Sequence, residues 1–320
     1  MLNWGIVGAG GIASAVIGSI KKLEHSRIIA IASRSNSEQF AREHGIERWY
    51  DDYEKMMKDP DVQVVYVATI HPLHYENVML AIAYGKHVVC EKPMGINAEQ
   101  TRNMIKAAKA RGVFLCEAVW TCFFPAYQKL QELISIGEIG SLQAVTVNFG
   151  LGIDYAPEER IFKPAPVGGS VTGMSIYPAV ILKAVLGLKG IEPKCHIVMR
   201  EKTDIRYSLT AKCLNGVLVN VLCGVDLKLP LTAEIYGSEG YIKIPRFLCP
   251  DRLELNKNGK CELLCFPLPK NDQGYLYEFS AVQESIMRGD LFCKQVSWED
   301  SIAYAEYTDQ ISGQLRCDEE

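Results

Sequence analysis

Short β-rich runs alternate with helical patterns over residues 1–118, and this alternation constrains the fold more than any other feature. The runs are LNWGIVG, RIIAIAS, VQVVYVAT, KHVVCE and VFLCEA. Between the first two, apolar residues recur at the spacing of one helix face, namely Ile12, Val16, Ile20 and Leu23. Strands that alternate with helices predict an α/β domain with a doubly wound parallel sheet, the Rossmann architecture.

The pattern changes near EAVWTCFFPAY, and long strand-like runs dominate from residue 119 onward. After the helical stretch AYQKLQELISIG come SLQAVTVNFG, PKCHIVMR, RYSLTAKC, VLVNVLCGV, LTAEIYG, YIKIP and RLELNK. GSEG and NKNGK indicate hairpin turns, and two helical segments follow them. We therefore expect residues 119–320 to form an α+β domain with a large, mainly antiparallel sheet and helices against one face.

Composition excludes several classes of function. The net charge is −4 and no basic cluster stands out, so neither nucleic acid nor a membrane surface is an expected partner. The most apolar run, SIYPAVILKAVLGL, is broken by Pro178 and Lys183 and is too short to cross a bilayer. The chain lacks the basic start of a signal peptide, and its 11 cysteines include no CxxC pair. These features predict a cytoplasmic protein with reduced thiols.

The stretch GIVGAGGIA forms a GxGxxA motif directly after the first strand and at the start of the first helix. Glycines let the backbone approach a pyrophosphate, and the helix N-terminus offers N–H donors and a positive dipole end. A glycine turn alone would be weak evidence, but the strand before it and the helix after it supply the required context. We predict a dinucleotide site that includes Gly8, Gly10, Gly11, Ile12 and Ala13.

The second strand ends in IASRSNSEQ, where an NAD site usually places Asp or Glu. Ser33, Arg34 and Ser35 instead offer hydroxyls and a guanidinium that suit a 2′-phosphate. The alternative is a solvated loop arginine. Because the position follows the glycines by about 20 residues, the spacing typical of the ribose contact, the sequence favours NADP over NAD.

Two histidines, His71 and His74, follow the third strand, close to Thr69. A metal site is one alternative, but no nearby Cys, Asp or Glu completes a ligand set, and no metal is expected. We assign Thr69, His71 and His74 to the loop over the nicotinamide half of the cofactor.

The fourth strand ends in Glu91, Lys92 and Pro93. Proline restricts the backbone of the residue before it, so the direction of the Lys92 ammonium is constrained. Ligands bind at the carboxyl edge of such sheets, which places Glu91 and Lys92 near the cofactor; a structural salt bridge between them is the alternative. Trp120 and Phe123 fit a domain-boundary core and a pocket wall equally well.

Seven motifs occur in the order found in the glucose-fructose oxidoreductase, inositol dehydrogenase and rhizopine catabolism (Gfo/Idh/MocA) family. They are GxGxxA, ASRS, HPLH, CEKPMG, EAVWTCFFPAY, GGSVTGMSIYPA and AEIYGSEGYIKIP. Over nearly its whole length the chain resembles the branch of NADP-dependent dihydrodiol and D-xylose dehydrogenases.

That resemblance implies an oxidoreductase for a small, sugar-like or dihydrodiol-type alcohol or carbonyl, assembled as a homodimer through the C-terminal sheet. It implies that Lys92 and Tyr177 are the catalytic pair, with Tyr177 as acid or base. The substrate pocket would then include Trp120, Phe123 and Tyr177.

Two positions depart from the family pattern, because Gly173 stands where Asp is usual and Cys122 stands where Arg is usual. An alternative function is therefore a nucleotide-sensing regulatory protein that kept the fold and lost most catalysis. A dehydrogenase with a histidine base is disfavoured, since position 177 is Tyr and no His lies between Gly168 and Pro193.

Overall fold

The computed structural model describes residues 1–315, which form two compact units. The first comprises Met1–Trp120 together with Pro269–Ile302, and the second comprises Thr121–Leu268 and the chain from Ala303 onward. The segment Pro269–Ile302, assigned from sequence to the second domain, thus packs within the first unit. No helix among the described residues combines the length and apolarity needed to span a membrane.

The first unit is built on a parallel sheet of six strands. The strands are β1 (Leu2–Val7), β2 (Ser26–Ala32), β3 (Arg48–Tyr50), β4 (Val64–Val67), β5 (His87–Glu91) and β6 (Leu115–Ala118). Their order, β3-β2-β1-β4-β5-β6, is that of a dinucleotide-binding Rossmann sheet and confirms the predicted doubly wound fold. The order reverses between β1 and β4, where ligands bind in such sheets.

Helices cover this sheet. They are α1 (Gly11–Ile20), α2 (Ser37–His44), α3 (Tyr53–Met57), α4 (His74–Ala83) and α5 (Ala98–Arg111), with short 3-10 turns at His71–Leu73 and Trp120–Phe123. All residues of β4 are buried, as expected for a central parallel strand with both faces covered.

The second unit contains a sheet of eight strands in the order β14-β13-β12-β11-β7-β10-β9-β8. Its strands are β7 (Leu142–Gly150), β8 (Lys194–Arg200), β9 (Thr203–Lys212), β10 (Leu218–Gly224), β11 (Thr232–Gly237), β12 (Gly240–Pro245), β13 (Arg252–Lys257) and β14 (Lys260–Cys265). All pairs are antiparallel except β7 with β10. The predicted large, mainly antiparallel sheet is confirmed, with β14 as an additional edge strand.

The remaining helices are α6 (Pro125–Ser135), α7 (Ser170–Met174), α8 (Ile176–Leu186), α9 (Tyr275–Arg288) and α10 (Trp298–Leu315), with a 3-10 turn at Arg160–Phe162. Helix α9 belongs to the first unit because it packs against α1 and β1. The Phe279 ring meets the Trp4 ring edge-on at 5.7 Å, and Ser26 donates a hydrogen bond to Gln283 at 2.7 Å.

The sheet of the second unit has one covered and one open face. Along β10, Val219, Val221 and Cys223 are buried, whereas Leu218 and Leu222 on the opposite face are 52% and 37% exposed. Strand register places Tyr241 and Leu263 on the same open face, where both are also exposed. The sheet is therefore open-faced, with large apolar side chains on its uncovered side.

Candidate functional site

The turn from β1 into α1 requires glycine at position 8. Gly8 has φ +100°, and a Cβ built there would lie 2.8 Å from the carbonyl oxygen of Ala68. Its N–H donates to Ala32 O at 2.9 Å, so the turn is held against both neighbouring strands. A side chain at this position would separate β1 from β4 at the ligand-binding edge.

Among the described residues, no side chain caps the positive N-terminal end of α1. Gly10 precedes the helix without a side-chain cap, and the first turn contains no acidic residue. A Cβ on Gly10 or Gly11 would meet no atom within 4 Å, so the backbone there is open to a ligand. Ala13 is fully buried and Ile12 is half-buried. The helix end therefore fits the pyrophosphate of a dinucleotide.

The loop after β2 is tied to the glycine turn by Asn36. Ser33 donates to Asn36 Oδ1 at 2.9 Å, and Asn36 Nδ2 donates to Ala9 O at 3.3 Å. Arg34 and Ser35 are exposed, and Arg34 makes no hydrogen bond or ion pair with residues 1–315. The guanidinium is thus available to a 2′-phosphate. The sequence analysis missed Asn36, because asparagine is common in loops and the sequence does not show which groups it contacts.

The loop after β4 contains a buried hydroxyl and two buried imidazoles. Thr69 Oγ1 is buried and has no hydrogen-bond partner within residues 1–315, so a ligand group can satisfy it. The His71 and His74 rings lie 5.7 Å apart. In the described part of the chain, no group of three or more His, Cys, Asp or Glu residues is arranged to hold a metal ion.

His74 is fully buried and both of its ring nitrogens face backbone carbonyl oxygens. Nδ1 lies 2.8 Å from Pro93 O, and Nε2 lies 3.0 Å from Thr69 O. The side chain therefore links the loops that follow β4 and β5. Its predicted contact with the cofactor stays a prediction.

Lys92 directly follows β5 and is half-buried. Its backbone N–H lies 3.3 Å from Glu91 Oε2, while the Tyr66 hydroxyl donates to Glu91 Oε1. The Lys92–Pro93 peptide bond is cis. Burial, together with the charges of Glu91 and Glu278, raises the pKa of Tyr66 well above its usual value. Tyr66 is thus a neutral donor that orients Glu91.

Glu117, in β6, is a site residue that the sequence analysis missed. It is 3% exposed, and its Oε1 accepts a hydrogen bond from the Met94 N–H at 2.8 Å. Burial raises the pKa of Glu117 to about 7, although the Met94 N–H, the Ser301 hydroxyl and the Lys92 charge each lower it. The available signal was an acidic residue in the otherwise apolar run VFLCEAV.

Replacing Glu117 with Gln tests this carboxyl group. The unfolded state ionises near pH 4.5, whereas the folded state keeps its proton until about pH 7, so the wild type loses stability as pH rises through this window. The E117Q variant lacks that loss, and its stability relative to wild type should rise by about 2 to 3 kcal/mol between pH 5 and pH 8. Urea unfolding at both pH values measures it; an unchanged difference would contradict the raised pKa.

In the second unit, Tyr177 is the second residue of α8 and is half-buried. Its ring meets Phe149 edge-on, with centroids 5.6 Å apart. The preceding glycines allow close backbone packing, since a Cβ on Gly168 would lie 2.3 Å from Arg160 O. Gly169, with φ +90°, would place a Cβ 2.2 Å from Asp204 Oδ1.

Asp204 is the side chain that holds the segment before Tyr177, and it was missed from sequence. It is 1% exposed, and its Oδ2 accepts from the Val171 N–H at 2.6 Å and from Ser170 Oγ at 3.0 Å. Burial raises the pKa of Asp204, while these bonds lower it. By contrast, a Cβ on Gly173 would meet nothing within 4 Å, so a side chain has room there.

The aromatic candidates differ in their surroundings. Trp120 is half-buried and stacks on Tyr275, with ring centroids 4.5 Å apart. Phe123 is 3% exposed, and the neighbouring Cys122 Sγ lies 3.6 Å from the Tyr304 hydroxyl. Lys92 belongs to the first unit and Tyr177 to the second, so their pairing, like the substrate-pocket assignment, stays a prediction.

Comparison with known proteins matches both units to one family. The oxidoreductase family with an NAD-binding Rossmann fold, GFO/IDH/MocA, matches residues 2–118, and the GFO/IDH/MocA C-terminal domain matches residues 127–243. Trans-1,2-dihydrobenzene-1,2-diol dehydrogenase of Mus musculus is 35% identical over 303 residues, covering 90% of this chain and 89% of the relative. The Homo sapiens protein of that name is 34% identical over 301 residues, with 90% and 89% covered.

Solved structures share the fold over nearly the full length. KijD10, a 3-ketoreductase from Actinomadura kijaniata in complex with NADP and TDP-benzene, is 21% identical, with a TM-score of 0.86 and 96% of each chain covered. Aldose-aldose oxidoreductase from Caulobacter crescentus, complexed with glycerol, is 20% identical, with a TM-score of 0.86 and 98% of this chain and 97% of that one covered.

Proposed function

Since the chain belongs to the GFO/IDH/MocA oxidoreductase family, we propose that it is an NADP-dependent dehydrogenase or reductase that acts on CH–OH groups. The substrate class is a small polyhydroxylated or dihydrodiol-type alcohol, or the matching carbonyl. The observation that carries the proposal is the match over about 90% of the chain to relatives named for a dihydrodiol, together with the presence of Lys92 and Tyr177.

The residues of the first unit fit a nicotinamide dinucleotide. The open helix end at Gly10 and Gly11 suits its pyrophosphate, and the exposed Arg34 suits a 2′-phosphate. Thr69 Oγ1 is a buried hydroxyl that lacks a partner in the described chain and can hydrogen-bond to the bound group. When bound, the cofactor supplies the hydride donor or acceptor. The NADP in the KijD10 structures is consistent with this choice.

Replacing Arg34 with Ala tests the preference for NADP. If Arg34 binds the 2′-phosphate, the wild type should bind NADPH at least about tenfold more tightly than NADH, equivalent to about 1.4 kcal/mol, and R34A should narrow the gap. Fluorescence titration of both nucleotides measures the two affinities. Arg27→Ala is a matched control, because Arg27 lies at the N-terminal end of β2, opposite to the end that leads to Arg34, and donates to Asn3 Oδ1. Equal affinities in the wild type would contradict an NADP site.

Lys92 and Tyr177 are proposed to move the proton of the reacting hydroxyl. A free tyrosine has a pKa near 10, too high for an efficient base at neutral pH. An ammonium held nearby favours the phenolate and lowers that pKa, so Tyr177 can take the substrate proton in oxidation or return it in reduction. The solved variants of KijD10, with a lysine replaced by alanine and a tyrosine by phenylalanine, direct attention to the same residue types.

Replacing Lys92 with Met tests this role. With NADP and trans-1,2-dihydrobenzene-1,2-diol as probe, turnover should fall by about 100-fold, the scale of lost acid–base assistance. NADPH affinity should change far less, and the pH limb assigned to Tyr177 should move to higher pH because the phenolate loses its cation.

Lys86→Met is the matched control for that experiment. Lys86 is a buried lysine of the same unit that donates to the carbonyl oxygens of Asp59 and Val62, each at 2.7 Å. Its loss should lower the melting temperature and leave turnover close to wild type. Turnover within a few-fold of wild type in K92M would contradict the catalytic role of Lys92. A wild type that binds NADPH without turnover would favour the nucleotide-sensing alternative, which the glycine at position 173 already suggests.

The open face of the second unit supports the proposal of a homodimer. Leu218, Leu222, Tyr241 and Leu263 are exposed on one side of the same sheet. Large apolar side chains exposed on a sheet face are typical of surfaces covered by a partner. A second copy of the chain is the partner that we propose.

Charged substitutions on that face test the dimer. The wild type should have twice its chain mass of 35.7 kDa by light scattering, and the double variant Leu218→Asp, Leu222→Asp should be monomeric because two carboxylates would be buried. Leu214→Asp is the control, since Leu214 is 97% exposed in the turn before β10. A monomeric wild type would contradict this assembly.

A cytoplasmic location is also part of the proposal. Every cysteine in residues 1–315 is a free thiol, which supports that location.

A further inference from the structure

The peptide group that joins Pro93 to Met94 is bound at both of its polar ends by buried ionisable side chains. His74 Nδ1 lies 2.8 Å from the Pro93 carbonyl oxygen, and the Met94 N–H donates to Glu117 Oε1 at 2.8 Å. His74 is fully buried and Glu117 is 3% exposed. The Pro93–Met94 peptide group, which follows Lys92, is therefore hydrogen-bonded to Glu117 of β6 at its N–H end and to His74, the first residue of α4, at its carbonyl end.

Regular secondary structure does not fix this segment. After β5 ends at Glu91, residues 92–97 form a series of bends before α5 begins. Backbone N–H and C=O groups inside a protein need partners, and here the partners come from side chains. The orientation of the Pro93–Met94 peptide therefore depends on His74 and Glu117.

The two side chains supply the partner that each end of the peptide group needs. An imidazole N–H donates to a carbonyl oxygen, and the His74 ring faces the carbonyl oxygens of Pro93 and Thr69. The Glu117 carboxyl group accepts from the Met94 N–H, so both ends of the peptide group have a side-chain partner.

We propose that His74 and Glu117 are positioning residues that hold the Pro93–Met94 peptide group and thereby fix the direction of the Lys92 side chain during the reaction. Proline transmits the constraint, because its ring fixes φ between the held peptide and Lys92. The inference rests on the proposed function, in which Lys92 acts on the reacting hydroxyl.

Other polar groups surround the pair. The Glu117 carboxyl group is surrounded by Lys92 and Glu91, by Cys90 of β5 and by Ser301 of α10. The His74 ring packs against His71. Burial brings the pKa of Glu117 to about 7, so its charge changes near neutral pH. Both the acid and the carboxylate retain an oxygen that accepts from Met94, so the contact itself persists through this titration.

Amide exchange in the protein without added nucleotide tests the contact directly. Glu117→Ala removes the acceptor, and exchange at the Met94 amide should accelerate by about tenfold or more, whereas Glu117→Gln keeps an acceptor oxygen and should stay within about threefold of wild type. Mass spectrometry of a peptide covering residues 90–95 reads this exchange. Equal exchange in E117A and wild type would overturn the proposal.

Turnover of trans-1,2-dihydrobenzene-1,2-diol with NADP tests the consequence for Lys92. E117A should lower kcat by about tenfold or more, the effect of a misplaced catalytic group, with NADPH affinity nearly unchanged. E117Q should recover most of the loss. Asp59→Asn is the control: it weakens the Arg48 pair and the fold without touching this peptide.

Combined substitutions separate positioning from a structural role. In a K92M background, E117A should lower kcat no further, because the lysine it positions is gone. The H74A and E117A losses should be less than multiplicative when combined, since both act on one peptide group. Should H74A or E117A fail to fold, His74→Asn, which keeps a donor near the Nδ1 position, and E117Q give the same comparison.

The outcomes distinguish this proposal from the proposed function. Wild-type turnover in K92M overturns the catalytic role of Lys92 and with it this proposal, whereas a wild type without turnover overturns the proposed function. A large loss in K92M combined with unchanged turnover in E117A overturns only the positioning role. An E117A loss that persists in full in the K92M background also overturns it, because the effect would then not pass through Lys92.

Discussion

The close approach of Gly8 to the Ala68 carbonyl is the contact on which the site of the first unit depends. Parallel register aligns Val7 with Val67 and Val67 with Cys90, so the chain leaves β1, β4 and β5 at one edge. Any Cβ at position 8 would separate the first two of these exits. The turn into α1, the loop after β4 and the segment containing Lys92 are neighbours because this backbone contact is allowed.

Buried carboxyl groups shape the electrostatics around Lys92. Glu91 accepts from Tyr66, and Glu117 accepts from the Met94 N–H. Burial and the charge of Glu91 raise the pKa of Glu278 well above its usual value, which favours its neutral form. Like charges placed together in a low dielectric disfavour simultaneous ionisation. Burial and the charge of Glu91 therefore limit the number of ionised carboxyl groups in this part of the first unit.

The sequence was sufficient for what depends on local pattern. Alternating strands and helices predicted the parallel sheet, and the glycine spacing predicted the turn at Gly8. β14 was missed because none of its residues is buried, so it has no alternating apolar face. Helix α9 packs within the first unit, whereas its position in the sequence placed it with the second half of the chain. Its contacts with Trp4 and Ser26 join residues more than 250 positions apart, which a local pattern does not reveal.

The residues missed at the candidate site share a physical reason. Asn36, Glu117 and Asp204 bind backbone groups that are close in space but more than 20 positions away along the chain. A periodicity argument sees only neighbours in sequence, so it does not reveal these contacts. A polar residue in a strand pattern indicates that something must satisfy it, but the pattern does not say what. The parallel pairing of β7 with β10 also could not be predicted from sequence, because only the strand register of the folded sheet reveals it.

Glu117 in the first unit and Asp204 in the second have the same structural role. Each is a buried carboxyl group that accepts a backbone N–H from an irregular segment, just after Lys92 in one case and just before Tyr177 in the other. Side chains that must be aimed at a reacting atom sit here on segments that no sheet ladder orients. A carboxyl group anchored in a strand supplies the missing partner, and burial raises both pKa values as the consequence. Because protonation leaves an acceptor oxygen in place, each segment can stay held while the charge beneath it changes.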